Sequence, residues 1–404
     1  MRSTAAILLT ARGVRAFGDG FTALLLPVYL AGLGFSPFRI GLLSTATLLG
    51  SAGLTLAVGL LAHRARARTL LLCACGLMLA TGLLFSQLQA FWPLVLVGFA
   101  GTLNPSGGDV SVFLPLEQSL LAHAGPDSGR TGLFVRYSLT GLLMVGVGSF
   151  AVGAVGPAGA VLHLHPLDAV RWMFALYGLL SLVAFALYLR LPGPAPETDV
   201  PSAPLGPSRR KVLSLAALFS LDSFGGGFLI QSMLALWLFS RFGLSLAAAG
   251  TFFFWAGVLS ALSQVASGWL ARRIGLVNTM VFTHVPANLC VVAAAFVPSL
   301  WGVMTLLLVR AALSQMDVPA RTSYVMAVVT PAERVAAAGI TNVPRSLASA
   351  VSPALAGLLL GASGFAWPLV IGGGAKLVYD ALLLAMFRHE RAPEERARPP
   401  AKPR

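Results

Sequence analysis

An all-α integral membrane protein of twelve spanning helices, arranged as two pseudo-symmetric six-helix bundles, is the fold class the sequence predicts. Three observations carry this reading. Of 404 residues, 57% are apolar and 10% charged, with a mean hydropathy of +0.82, whereas soluble domains are about 25% charged. Apolar stretches recur from Ile7 to Phe387 with short polar breaks, and runs of about 18 residues or more can cross a hydrocarbon core of about 30 Å as helices. The third is an internal repeat at one constant offset. The alternating pattern of a membrane barrel is absent, which leaves helices as the way to satisfy the backbone in lipid.

In chain order the expected spans are 8–33, 38–61, 69–91, 93–121, 131–156 and 168–190, then 212–239, 246–270, 276–297, 300–328, 335–360 and 366–387. The first is read as a membrane helix and not a removed leader, because Met1 to Thr10 has one arginine and no small-residue cleavage site before the apolar run continues. Between the sixth and seventh spans lies a stretch rich in proline (Pro192, Pro194, Pro196, Pro201, Pro204, Pro207), which cannot be helical and reads as a semi-extended linker. The expected organisation is therefore a first half over 1–190, a linker over 191–210, a second half over 211–387 and a disordered tail over 388–404.

The formal net charge is +14, yet the basic residues sit at helix ends and in alternate loops, so position explains them better than a nucleic-acid partner. An even number of spans puts both termini on one side. Arg64, Arg66, Arg68, Arg130, Arg190, Arg209, Arg210, Lys211, Arg272, Arg273, Arg334 and the tail fall on that side, against Arg39, Arg171 and Arg241 opposite. That asymmetry makes it the cytoplasm of a multi-pass cell-membrane protein. Cys73, Cys75 and Cys290 lie in apolar helices and form neither a disulfide framework nor a zinc site. No metal or cofactor is expected.

Sliding the chain by 209 positions superposes Gly18 on Gly227, Gly34 on Gly243, Ser36 on Ser245, Gly41 on Gly250, Ser51 on Ser260, Gly59 on Gly268, Arg64 on Arg273, Arg136 on Arg345 and Gly148 on Gly357. Shared leucine and alanine bias would match apolar letters, not these. Two six-helix halves in one orientation imply a pseudo-two-fold axis along the membrane normal and a site near mid-bilayer where they meet.

The stretch Gly59-Leu60-Leu61-Ala62-His63-Arg64, repeated as Gly268-Trp269-Leu270-Ala271-Arg272-Arg273, resembles the motif between the second and third helices of the major facilitator superfamily. Both copies lack that motif's aspartate. An arginine expected on the fourth helix has no counterpart around Phe99 to Asn104; Arg310 takes the analogous place in the second half. The resemblance implies a secondary transporter working by alternating access, with small-molecule substrates, the first, fourth, seventh and tenth helices lining its cavity, and a monomeric state.

Charges inside spans are the strongest functional signal, since one near the bilayer centre costs about 2.5–3.5 kcal/mol. Asp19, Asp109, Asp222, Arg310 and Asp317 fall on the four implied cavity helices, and with Gln231 and Arg321 they are the candidates for substrate or proton binding. Asp109, between Gly107-Gly108 and Pro115, lacks an opposite charge at helical spacing. Arg15 with Asp19, Asp317 with Arg321 and Lys376 with Asp380 are spaced i, i+4 and can each neutralise themselves on one helix face. The last pair, off the cavity helices, reads as structural. Asn342 is a further candidate for substrate contact. Glu117 with Arg64, Arg130 and Arg136, matched by Arg273, Arg321, Glu333, Arg334 and Arg345 in the second half, forms either a cytoplasmic gate or static stitches between helix ends. His284 and Asn288 share one face of the ninth span and read as packing. The His163-x-His165 pair in a loop lacks the ligands to complete a metal site. No nucleotide-binding loop or sizeable soluble domain is present, so an ion or solute gradient is the expected energy source. Export is expected over import of an organic anion or nutrient, in which case Arg310 and Arg321 would bind the anion. A non-transporting receptor or scaffold is the remaining alternative; no catalytic constellation suggests an enzyme.

Overall fold

The computed structural model describes residues 2–61, 66–107, 111–122, 124, 130–191, 206–330 and 333–387. Asp109, Arg64, most of the linker and the tail lie outside these residues. All regular structure among them is helical: α1 (Arg2–Gly32), α2 (Pro37–Leu61), α3 (Ala67–Gln87), α4 (Phe91–Ala100), α5 (Phe113–Ala122), α6 (Arg130–Ala151), α7 (Val155–Val161), α8 (Pro166–Tyr188), α9 (Arg209–Gly227), α10 (Gln231–Phe242), α11 (Leu246–Ile274), α12 (Leu276–Phe296), α13 (Leu300–Ser314), α14 (Asp317–Val328), α15 (Arg334–Ala362) and α16 (Trp367–Phe387). Among the described residues, eleven stretches are long and apolar enough to cross a membrane; α4, with 10 residues, falls short by itself.

The repeat has a structural cause that can be named residue by residue. Gly34 and Gly243 both take left-handed backbone angles, φ +82° and +60°, which only glycine adopts freely and which end α1 and α10. Two residues on, Ser36 and Ser245 accept from the backbone N–H groups of Arg39 and Ala248 at 3.4 and 3.2 Å and so cap α2 and α11. Gly41 and Gly250 then permit crossings in which a Cβ would sit 2.2 Å from the Pro353 carbonyl oxygen and 2.6 Å from that of Ser149.

Three expected spans are interrupted. The fourth stops at Ala100, where Gly101 turns extended, and resumes at Phe113. The seventh stops at Gly227 and resumes at Gln231; the tenth stops at Ser314 and resumes at Asp317. Backbone freed inside a membrane must find other partners, and these breaks do. Tyr177 Oη donates to the Thr102 carbonyl (2.9 Å), Thr81 Oγ1 accepts from Thr102 N (3.3 Å), and Ser232 N donates to the Pro105 carbonyl (3.1 Å). In the tenth span Ser263 Oγ accepts from Gln315 N (3.3 Å) and Ser267 Oγ donates to the Met316 carbonyl (2.5 Å). The fifth span, expected to end at 156, continues through a short 3-10 stretch into α7.

Packing divides the chain into two units. The first holds residues 1–197, 227–258 and 350–368; the second holds 198–226, 259–349 and 369–404. In the first, α1 packs chiefly on α6 and α8, and α3 on α8. In the second, α12 lies against α13 and α14, around a core that includes Leu215, Phe219, Met280, Tyr324, Tyr379 and Leu383.

Candidate substrate and coupling site

Three polar centres occupy the spans. The first is built where the interrupted fourth and seventh spans meet α1 and α6. Gln231 Nε2 donates to Ser149 Oγ (2.9 Å) and to the Gly20 carbonyl (3.3 Å), and Ser149 Oγ donates to the same carbonyl (3.1 Å). Gly107, at φ +62°, leaves room for the Gln231 amide, whose Oε1 would lie 2.0 Å from any added Cβ. Asn104 Oδ1 accepts from Ser106 Oγ (2.6 Å). Ser232 Oγ is fully buried without a hydrogen-bond partner among the described residues. At 1.5 Å per residue, Gly20 lies about 18 Å from the end of α1 and Gln231 about 17 Å from the end of α10, which is roughly halfway through a 30 Å core. Asp19 is buried next to Gly20.

The second centre lies entirely in the first unit. Glu117 on α5 is paired with Arg15 on α1, and its oxygens accept from Tyr188 Oη (2.6 Å) and Tyr137 Oη (2.5 Å). Arg15 Nε donates to Tyr188 Oη (3.2 Å), and the Phe113 ring lies 4.0 Å beneath its guanidinium. Arg12 stacks over Tyr137 at 5.3 Å. Arg15 thus pairs with Glu117 on another helix, and Glu117 is 0% exposed. A carboxylate so deeply buried needs every lone pair met, and α1, α6 and α8 supply the donors locally.

The third centre lies entirely in the second unit, around Asp222 on α9. Its Oδ1 accepts from Lys376 Nζ (2.6 Å) and its Oδ2 from Arg321 Nη1 (3.0 Å), while His284 Nε2 stands 3.7 Å from Oδ1. Arg321 keeps a longer contact to Asp317 (3.6 Å) and lies 5.4 Å over the Phe219 ring. Asp380 accepts from Asn288 Nδ2 (2.9 Å) and meets His284 Nδ1 (2.9 Å). Lys376 and Asp380 therefore do not neutralise each other; each pairs with another helix. Likewise His284 and Asn288 are network members, not mere packing. Gly225 makes this possible: a Cβ there would sit 2.6 Å from the Gly372 carbonyl oxygen and 2.9 Å from Lys376 Cγ, so the glycine lets α16 approach and the lysine stem pass.

The other expected site residues are scattered. Arg310 is half-buried on α13 with no ion pair within 4 Å among the described residues, and Arg345 is half-buried on α15. Arg136 and Asn342 are exposed; exposed Arg273 stacks on Trp269 at 4.1 Å. Arg130 and Arg334 start helices, and their side chains are outside the described set. Glu333 is met by neutral donors. It accepts from Gly206 N (2.5 Å), Ser208 Oγ (2.7 Å) and Thr330 Oγ1 (2.8 Å), tying the end of the linker, and these donors hold its carboxyl down at about 2.

The missed residues left a readable signal. His284 with Asn288, and Lys376 with Asp380, are polar i, i+4 pairs on two otherwise apolar spans. Two such faces in lipid satisfy themselves best by meeting each other.

Interrupted helices meeting at mid-membrane, in a chain built from two related halves, define a polytopic helical protein of the secondary-transporter class. Within that class the chain belongs to the Major Facilitator Superfamily, whose family model matches residues 8–316. The Uncharacterized membrane protein YJR124C of Saccharomyces cerevisiae is 24% identical over 413 residues, covering 93% of this chain and 92% of its own. Among solved structures, the nucleoside transporter NupG superposes with a TM-score of 0.71 at 14% identity, covering 96% of this chain and 100% of its own. A bacterial homologue of the human lysosomal transporter Spinster, inward-facing and occupied, gives 0.73 at 17% identity, covering 94% of each chain. The human organic anion transporter MFSD10 gives 0.65 at 18%, covering 95% of this chain and 99% of its own. At these identities the likeness is one of fold.

Proposed function

We propose that the chain is a secondary transporter that carries a small organic solute across the cell membrane by alternating access, exporting it in exchange for protons, with its termini in the cytoplasm. The observation that carries the site is the meeting of the interrupted fourth and seventh spans. Two open backbones at mid-membrane are costly unless they line a binding place, and this one presents the Gln231 amide, the unpartnered Ser232 hydroxyl and the positive N-terminal end of α10. Such a set suits a neutral or electron-rich polar group. Asp19 and Asp109 are the carboxylates assigned to the coupling proton or to a cationic group. Export rests on the resemblance to efflux members of the superfamily. The names of the structural neighbours, a nucleoside transporter and an organic anion transporter, support a small organic solute as the class.

One observation favours a second reading, import of an organic anion: Arg310 is a cation within a span, with no ion pair within 4 Å among the described residues. Ligand-induced thermal stabilisation of the purified protein across a metabolite and drug library, followed by flux of each hit in reconstituted vesicles, decides between them. Export predicts proton-driven uphill movement of neutral or cationic hits that fails in Asp19→Asn or Asp109→Asn. Anion import predicts anionic hits whose binding is lost in Arg310→Gln. Stabilising ligands that never move across the vesicle membrane would overturn both.

A further inference from the structure

We propose that His284 is a proton-binding site, and that on protonation its Nε2 takes over Asp222 from Lys376. The ring is oriented by a pair of contacts on its far side. Asp380 Oδ1 lies 2.9 Å from His284 Nδ1, and Asp380 Oδ2 is held by Asn288 Nδ2 at 2.9 Å. Asn288 Nδ2 also stands 3.2 Å from Nδ1, and with Asp380 ionised the shorter contact places the proton of the neutral ring on Nδ1. Nε2 is thereby left as a lone pair, and it faces Asp222 Oδ1 at 3.7 Å, too far for a hydrogen bond. That same oxygen is occupied by Lys376 Nζ at 2.6 Å. A proton arriving at Nε2 converts a lone pair facing an anion into a cationic donor facing it. His284 and Lys376 then compete for one oxygen.

The surroundings set up that competition. Facing or near the imidazole are Asp222 from α9; Lys376, Tyr379 and Asp380 from α16; and, through Asp222, Arg321 and Asp317 from α14. Arg310 on α13 and Arg345 on α15 are the remaining half-buried cations of this unit. The ion pairs join two carboxylates, Asp222 and Asp317, to two cations, Arg321 and Lys376, whereas Asp380 meets His284 and Asn288. The Tyr379 ring meets His284 edge-on at 5.9 Å between centroids, and its buried hydroxyl has no partner among the described residues. One polar group beside the imidazole is therefore uncommitted.

This inference rests on the coupling reading above only for its role in transport; the protonation itself is tested without a substrate. Protein labelled with 15N-histidine, in lipid nanodiscs, contains six histidines. Across a range of pH the expected result is one imidazole whose signals report uptake of a proton and that disappears in His284→Gln. Removing its nearest anion, in Asp380→Asn, and removing the competing cation, in Lys376→Met, should move that midpoint in opposite directions. Should His284→Gln not fold, these two variants still identify the signal by their opposed shifts. A His284 resonance unchanged across the range, or shifted alike by both variants, overturns the proposal. A titrating His284 in a protein whose uphill transport ignores a pH gradient would instead overturn the coupling reading and leave the proton site standing.

Discussion

The Arg15–Glu117 centre and the Asp222 centre are both ion pairs sealed inside helical packing, and they solve the burial of charge in opposite ways. In the first, one carboxylate meets one guanidinium, and two phenols use what remains of its acceptor capacity. In the second, one carboxylate faces a lysine, an arginine and a histidine, and both the arginine and the histidine hold a second carboxylate. A fully matched set has one good arrangement, so it acts as a rivet. An over-subscribed set has several of similar energy and can change partners when a proton or a helix moves.

The comparison can be broken most sharply at the rivet. Glu117→Leu leaves Arg15 buried without its anion, and the expected loss is about 3–5 kcal/mol, read as a large fall in thermal midpoint in detergent. Arg15→Met combined with Glu117→Leu should be less damaging than Glu117→Leu alone, because Arg15 is then not left charged without Glu117. Equal damage from both would mean that the phenols, and not the ion pair, hold the centre.

At the other centre, Lys376→Met should cost less, about 1.5–3 kcal/mol, since Asp222 keeps Arg321 and gains access to His284. A loss matching that of Glu117→Leu would deny the redundancy on which the contrast depends. Gly225→Ala tests the approach that lets Lys376 in. Its Cβ would meet the Gly372 backbone oxygen at 2.6 Å, so overpacking of about 1–3 kcal/mol is expected, measured against an Ala substitution at the open position Gly374.

The smallest effect belongs to Glu333, whose donors are neutral. Its carboxyl is depressed from an ordinary 4.5 to about 2, so its tether to Gly206 and Ser208 is fully present above about pH 4.5 and lost as the pH falls towards 2. Hydrogen exchange of the peptide beginning at Gly206 should therefore quicken in Glu333→Gln at neutral pH, with little change in thermal midpoint. Unchanged exchange would show that the linker end is held by other contacts.

The all-helical membrane fold and the family were legible in the sequence because lipid imposes a one-dimensional rule: every crossing needs a long apolar run. The repeat was legible for a related reason. Gly34 and Gly243, with Ser36 and Ser245, are demanded by local backbone geometry at the same turn in each half. Asp222 and Arg321 were also visible, since any charge in a span announces itself.

What the chain order could not decide was who pairs with whom. Local i, i+4 spacing suggested Arg15 with Asp19 and Lys376 with Asp380, yet the ion pairs found for Arg15 and Lys376 reach partners 102 and 154 residues away. Spacing along one helix says only which groups can meet. Which ones do meet depends on helices that cross, and those crossings are set by glycine contacts such as Gly225 against Gly372. The breaks after Ala100 and at 228–230 were hidden for the same reason: an interrupted span is as apolar as a whole one. Its cost is removed by Tyr177, Thr81 and the Pro105 carbonyl, groups that only the tertiary structure brings alongside.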